Sequence, residues 1–122
     1  MAKTIMIVDD SASLRQVVSI ALKGVGYDTV EACDGKDALS KLSGQKVHLI
    51  ISDVNMPNMD GLTFVKQAKQ IPAYKFTPVI MLTTEAGEIK KKEGQAAGAK
   101  AWVVKPFQPA QMLAAVSKLV TA

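Results

Sequence analysis

The chain has 122 residues, 48% of them apolar and 21% charged, which suits one soluble globular domain spanning 1–122 and burying roughly two-thirds of its unfolded surface. No apolar run approaches the ~20 residues needed to cross a bilayer, and the N-terminus lacks the basic-then-apolar layout of a signal peptide, so a cytoplasmic protein with no membrane contact is expected. The formal charge of +4 rests on fourteen lysines and one arginine, Arg15, scattered except at Lys90-Lys91-Lys92. With so little arginine for bidentate phosphate and base contacts, this is a solvated surface rather than a nucleic-acid interface.

In chain order, apolar strand-like runs alternate with helical patterns five times. A first run, 4–8, is followed by Leu14, Val17, Val18 and Ala21 at helical spacing, with Gly24 and Gly26 as the stop. The second run, 28–32, leads to the single cysteine, Cys33, which has no internal disulfide partner and reads as a small strand-end residue in a reducing compartment. Ala38, Leu39 and Leu42 mark a short second helix before Ser43-Gly44. After a third run, 48–52, come Leu62, Val65 and Ala68, and then a fourth run, 78–82. The stretch 88–97 is a weak helix with three lysines, Gly94 and little apolar content besides Ile89. A fifth run, 101–104, precedes a last helix bearing Leu113, Val116 and Val120. Three runs (IMIV, HLII, VIML) are almost continuously apolar, as strands covered on both faces are.

A (βα)₅ order predicts a parallel sheet with helices on both faces and right-handed crossovers. A barrel needs eight such units and about twice the length. The expected solution is an α/β, flavodoxin-like, doubly wound sheet of strand order 2-1-3-4-5.

Such sheets bind ligands beyond the carboxyl ends of their strands, where the strand order reverses. The residues following each run therefore belong together: Asp9 and Asp10 after the first, Asp53 after the third, Thr83 and Thr84 after the fourth, Lys105-Pro106-Phe107 after the fifth. Singly, each has a plainer role. Asp9 and Asp10 precede Ser11 where helix caps sit, Asp53 would suit a turn before Met56-Pro57, and Lys105 a surface. Jointly, three carboxylates repel one another unless a proton or cation compensates, and Mg²⁺ with oxygen ligands is the simplest compensation. The acidic first loop offers no glycine-rich anion nest, so phosphate should enter only with the metal. Asp53, alone at its strand end and facing the Thr83 side, is the natural nucleophile for an acyl phosphate. Thr83 and Lys105 would meet the equatorial oxygens.

The segments IVDDS (7–11), SDVNMPNMDG (52–61), MLTTEA (81–86) and VVKPF (103–107) together resemble response-regulator receiver domains, most nearly the stand-alone chemotaxis (CheY) type. The resemblance runs nearly end to end. It implies a chemotaxis-type histidine kinase as phosphoryl donor and Asp53 as acceptor. It implies Mg²⁺ held by Asp10, Asp53 and the Asn55 backbone carbonyl, with Asp9 assisting. Thr83 would be the switch hydroxyl, Lys105 the phosphate-contacting ammonium, and the Lys105–Pro106 bond cis. The switch aromatic is Trp102, where Tyr or Phe is usual; a half-buried packing residue there is compatible with switching. Thr84 replaces a residue that is often small.

Motor-binding relatives dock through the fourth helix, fifth strand and fifth helix. Here Lys91 falls where an apolar contact would be expected. The flagellar motor switch protein, a phosphatase, or neither in a phosphate sink are all compatible partners. No output domain is expected after Ala122, so a diffusing monomer is expected. It would act on itself alone and turn over no external substrate. A Mg²⁺-dependent aspartyl phosphatase would need two acids separated by one residue after the first strand, where Asp9 and Asp10 are adjacent. A flavin carrier would need a hydroxyl- and glycine-rich loop there.

Overall fold

The computed structural model describes residues 3–42, 46–53, 59, 61–83, 100–104 and 108–120, without the side chains of Thr83 and Val104. Five strands form one parallel sheet: β1 (Thr4–Val8), β2 (Asp28–Ala32), β3 (Leu49–Asp53), β4 (Val79–Thr83) and β5 (Ala101–Val104). Their order is β2-β1-β3-β4-β5, as the alternating pattern requires. The described helices are α1 (Ala12–Gly24), α2 (Gly35–Lys41), α3 (Gly61–Gln70), a short 3₁₀ turn (Pro72–Tyr74) and a C-terminal helix (Pro109–Leu119).

Helices cover both faces, so successive residues of the central strands are all buried. Ile5, Met6, Ile7 and Val8 are fully inaccessible. Their alternation feeds two cores. Ile5, Ile7, Leu49, Ile51, Ile80 and Leu82 meet Val18 and Leu22 of α1 and Met112 and Val116 of the C-terminal helix. Met6, Val8, Ile50, Val79 and Met81 meet Ala38, Leu42, Phe64, Val65 and Ala68 of α2, its C-cap and α3. Burial of a side chain of this size is worth ~1.5–3 kcal/mol, so these two layers carry the fold. The second layer is also tied by the buried Tyr74 hydroxyl, which donates to the Leu42 carbonyl.

Local signals set the ends. The Ser11 hydroxyl accepts the Leu14 N–H at 3.2 Å and starts α1. Gly26, at φ 97°, takes the left-handed turn that leads into β2. Two expectations shift. The buried face of α1 runs through Val18 and Leu22, with Leu14 packed beside it, and Val17 is 53% exposed. Adjacent valines leave the helical phase ambiguous, and spacing to Leu22 decides it. β3 and β4 each begin and end one residue later than expected. Pro78 has no N–H for the ladder, and His48 is engaged outside it: its N–H donates to the Thr4 carbonyl (2.8 Å) and its Nδ1 accepts the Thr4 N–H (3.0 Å). Asp53 and Thr83 are consequently the last residues of their strands, paired in register with Leu82 and Val104. The expected helix over 88–97 lies outside the described residues.

Candidate functional site

β1 lies between β2 and β3, and the chain leaves it in one direction for α1 while α3 departs β3 toward the other face. At this reversal a crevice opens beyond the strand ends. Register pairs Val8 with Ser52, which sets Asp9 next to Asp53 across the two strands. Asp9, Asp10 and Asp53 each offer a carboxylate oxygen, and these three atoms lie within 4.8 Å of one another. The three acids that the sequence suggested as a cluster are thus brought together.

Their surroundings differ. Asp9 is fully buried and Asp53 is 6% exposed, whereas Asp10 is open to solvent. Asp9 is bound on three sides: its N–H donates to the Ala32 carbonyl (3.1 Å), its Oδ1 accepts the Ser11 N–H (2.8 Å), and its carbonyl accepts from Arg15 Nη1 (2.6 Å). Capping and clustering therefore coexist: Ser11 caps α1 while Asp9 orders the turn before it. Three carboxylates so close, two of them buried, are costly without positive charge. Hard oxygen donors converging at one edge fit a small divalent cation such as Mg²⁺, with the exposed Asp10 on the solvent side of the cluster.

Asn55, Thr84 and Lys105, the Lys105–Pro106 bond and the Thr83 side chain lie outside the described residues. Trp102 is described. It sits on the edge strand β5, paired with Met81, half-buried against the core layer of α2 and α3. Its Nε1 is buried and finds no hydrogen-bond partner among the described residues. A buried orphan donor costs ~1–3 kcal/mol.

Two features were missed in the sequence. Asp34 is buried at 8% exposure and caps α2, accepting the Asp37 N–H at 2.8 Å, while Asp37 accepts the Cys33 N–H at 3.0 Å. The spacing of two acids three apart at a helix start was the available signal. That N–H holds the Asp37 carboxyl below its usual range, helped by Lys41. The Cys33 thiol is pushed up by partial desolvation and then by Asp34 and Asp37, the opposite of an activated nucleophile. The second missed feature is the Arg15 bond to Asp9, for which no local sequence signal exists.

The sequence matches the response regulator receiver domain family over residues 5–117. The chain belongs to that family. It is 37% identical over 112 residues to protein PilG of Pseudomonas aeruginosa, a match covering 92% of this chain and 83% of that protein. It is likewise 37% identical over 107 residues to chemotaxis protein CheY1 of Helicobacter pylori, 86% of each chain. In three dimensions it is similar to chemotaxis protein CheY4 of Vibrio cholerae, with a TM-score of 0.94 and 46% identity over 98% of this chain and 99% of that one. Receivers are the signal-accepting modules of two-component systems, and this receiver's acidic cluster sits at the carboxyl edge where the fold builds its sites. No helix among its described residues is long and apolar enough to cross a membrane.

Proposed function

We propose that this receiver is a chemotaxis-type phosphorylation switch, a single domain over 1–122, in which Asp53 accepts a phosphoryl group from a histidine kinase. The observation that carries the reading is the convergence of Asp9, Asp10 and Asp53 at the end of β1 and β3, with Asp53 nearly buried and held in the β-ladder. An Asp53 carboxylate oxygen attacks the phosphorus of a phosphohistidine. The N–P bond breaks with its electron pair staying on the imidazole nitrogen, which takes a proton, and an acyl phosphate forms. Bound by the three carboxylates and the Asn55 carbonyl, Mg²⁺ would offset the negative charge gathered on the transferring group.

The ladder fixes the Asp53 backbone, so the carboxylate needs little reorganisation to reach its attacking position. Thr83 ends the neighbouring strand and is the hydroxyl that would turn toward the new phosphoryl oxygens, with Lys105 contacting them from beyond β5. Thr84 would narrow the approach of water and the path of Trp102. The indole, half-buried and with an N–H that has no partner among the described residues, is a passenger whose inward swing would offer that donor new surroundings. The output would be a population shift of a docking surface that includes β5 and the C-terminal helix, with the expected helix over 88–97 outside the described residues. The similarity to the chemotaxis proteins CheY1 and CheY4 supports a partner in chemotaxis; a flagellar motor switch protein or a phosphatase would be such a partner. The domain modifies itself and turns over no external substrate.

The test is phosphotransfer from a labelled histidine-kinase domain, followed with beryllofluoride and Trp102 emission. Label on the wild type, none on Asp53→Asn, and an emission change with beryllofluoride are expected. Label retained on Asp53→Asn would move the acceptor elsewhere.

A further inference from the structure

Arg15 is the sole arginine of the chain, and it stands six residues from the acidic turn, on the first turn of α1. Its side chain is only 17% exposed, and its guanidinium is used at two ends. Nη1 donates to the Asp9 carbonyl at 2.6 Å, and Nε donates to the Glu31 carboxylate at 3.2 Å. Glu31 is itself tethered, because Lys41 Nζ donates to its carbonyl at 2.6 Å. The Arg15 main-chain N–H meanwhile holds the Ser11 carbonyl at 3.0 Å.

The Asp9 carbonyl belongs to the peptide unit that joins Asp9 to Asp10. A hydrogen bond to that oxygen fixes the rotation of the unit about its Cα–Cα axis, and hence the direction in which the Asp10 side chain leaves the backbone. Asp10 is the exposed member of the acidic cluster and the least held by its surroundings, so its aim depends on the backbone beneath it. A planar fork bridging a carbonyl and a carboxylate suits this task in a way a lysine does not.

We infer that Arg15 is a positioning residue for the metal site, aiming Asp10 at the cation by clamping the Asp9–Asp10 peptide against Glu31. The inference rests on the reading of Asp9, Asp10 and Asp53 as cation ligands. It has a distinctive sign. As a bare positive charge beside the acids, Arg15 would repel a cation, and its removal would tighten binding. As a positioner, its removal must loosen binding, since partners that orient metal ligands are typically worth about 10–100-fold in affinity.

The experiment is an Mg²⁺ titration of the ¹⁵N-labelled protein read at the Ser11 and Asp10 amides, free of any phosphoryl donor. Arg15→Gln and Arg15→Lys are both expected to weaken Mg²⁺ about tenfold, and Glu31→Ala, which frees the other end of the clamp, to weaken it by less. Tighter binding in Arg15→Gln with no change in Arg15→Lys would leave only the charge effect and overturn the inference. Should Arg15→Gln not fold, Arg15→Lys and Glu31→Ala decide: unchanged affinity in both overturns it. A wild type that shows no Mg²⁺-dependent shift, or an Asp10→Ala variant that binds as well, would instead remove the metal reading beneath it.

Discussion

The two ends of the same five strands are built on opposite terms. At the amino end, polar groups are individually satisfied by backbone. Lys69 Nζ donates to the Thr77 and Lys75 carbonyls, His48 bonds Thr4 through both its N–H and its ring, and the Lys100 N–H donates to Val79 at 2.8 Å. At the carboxyl end, three carboxylates converge within 4.8 Å. The amino end is closed and contributes stability, whereas the carboxyl end gathers like charges that a cation could offset. A fold can carry such an edge because the two core layers between the ends are fully buried.

The largest effect that would sharpen this contrast is metal binding. At a hundredfold excess over its dissociation constant, Mg²⁺ should stabilise the native state by ~2.7 kcal/mol, and Asp10→Ala should lose most of that gain. Urea midpoints with Mg²⁺ and with chelator measure it, and equal midpoints would mean the acids hold no ion.

Two acid deletions at the same edge should then move in opposite directions. Without metal, Asp53→Asn should raise stability by ~1 kcal/mol, because it removes one of three repelling charges. Asp34→Ala should lower stability by ~1 kcal/mol, because it removes a capping acceptor. Urea melts of both variants in chelator are the check. Losses in both would erase the distinction between the acids of the cluster and the acid of the cap.

The smallest effect belongs to the amino end. Burial, then Lys3 and Lys46, hold the His48 imidazole below its ordinary value of 6.5, and its Nδ1 lone pair is spent on the Thr4 N–H. The unfolded chain therefore takes up a proton at higher pH than the folded one. Stability should be unaffected above about pH 6.5 and fall as pH drops below it toward the lowered folded value. His48→Gln should flatten that limb of the pH profile. A limb unchanged in the variant would place the titration elsewhere.

Much of the molecule was legible from residue types. Five apolar runs gave the sheet and its order to within one residue, because strands covered on both faces leave little ambiguity. The one-residue shift of β3 and β4 was not legible, as it depends on where His48 and Pro78 place their backbone groups. The exposure of Val17 needed the helix phase that only packing sets. Asp9, Asp10 and Asp53 could be grouped from topology alone. The burial of Asp9 and the Arg15 bond to its carbonyl could not: the first depends on how the strands and helices close over the turn, the second on how the β1–α1 turn folds back across six residues. Trp102 was read as a half-buried packing residue and is one, yet the lack of a partner for its Nε1 among the described residues appears only in three dimensions.

The most direct measurement is intact mass after incubation with acetyl phosphate, with and without Mg²⁺, for the wild type and Asp53→Asn. A gain of one phosphoryl group on the wild type only in Mg²⁺, and none on Asp53→Asn, is the predicted result. An equal gain on Asp53→Asn, or a wild type that stays unmodified under fast sampling and also fails to bind beryllofluoride, would contradict the switch at Asp53.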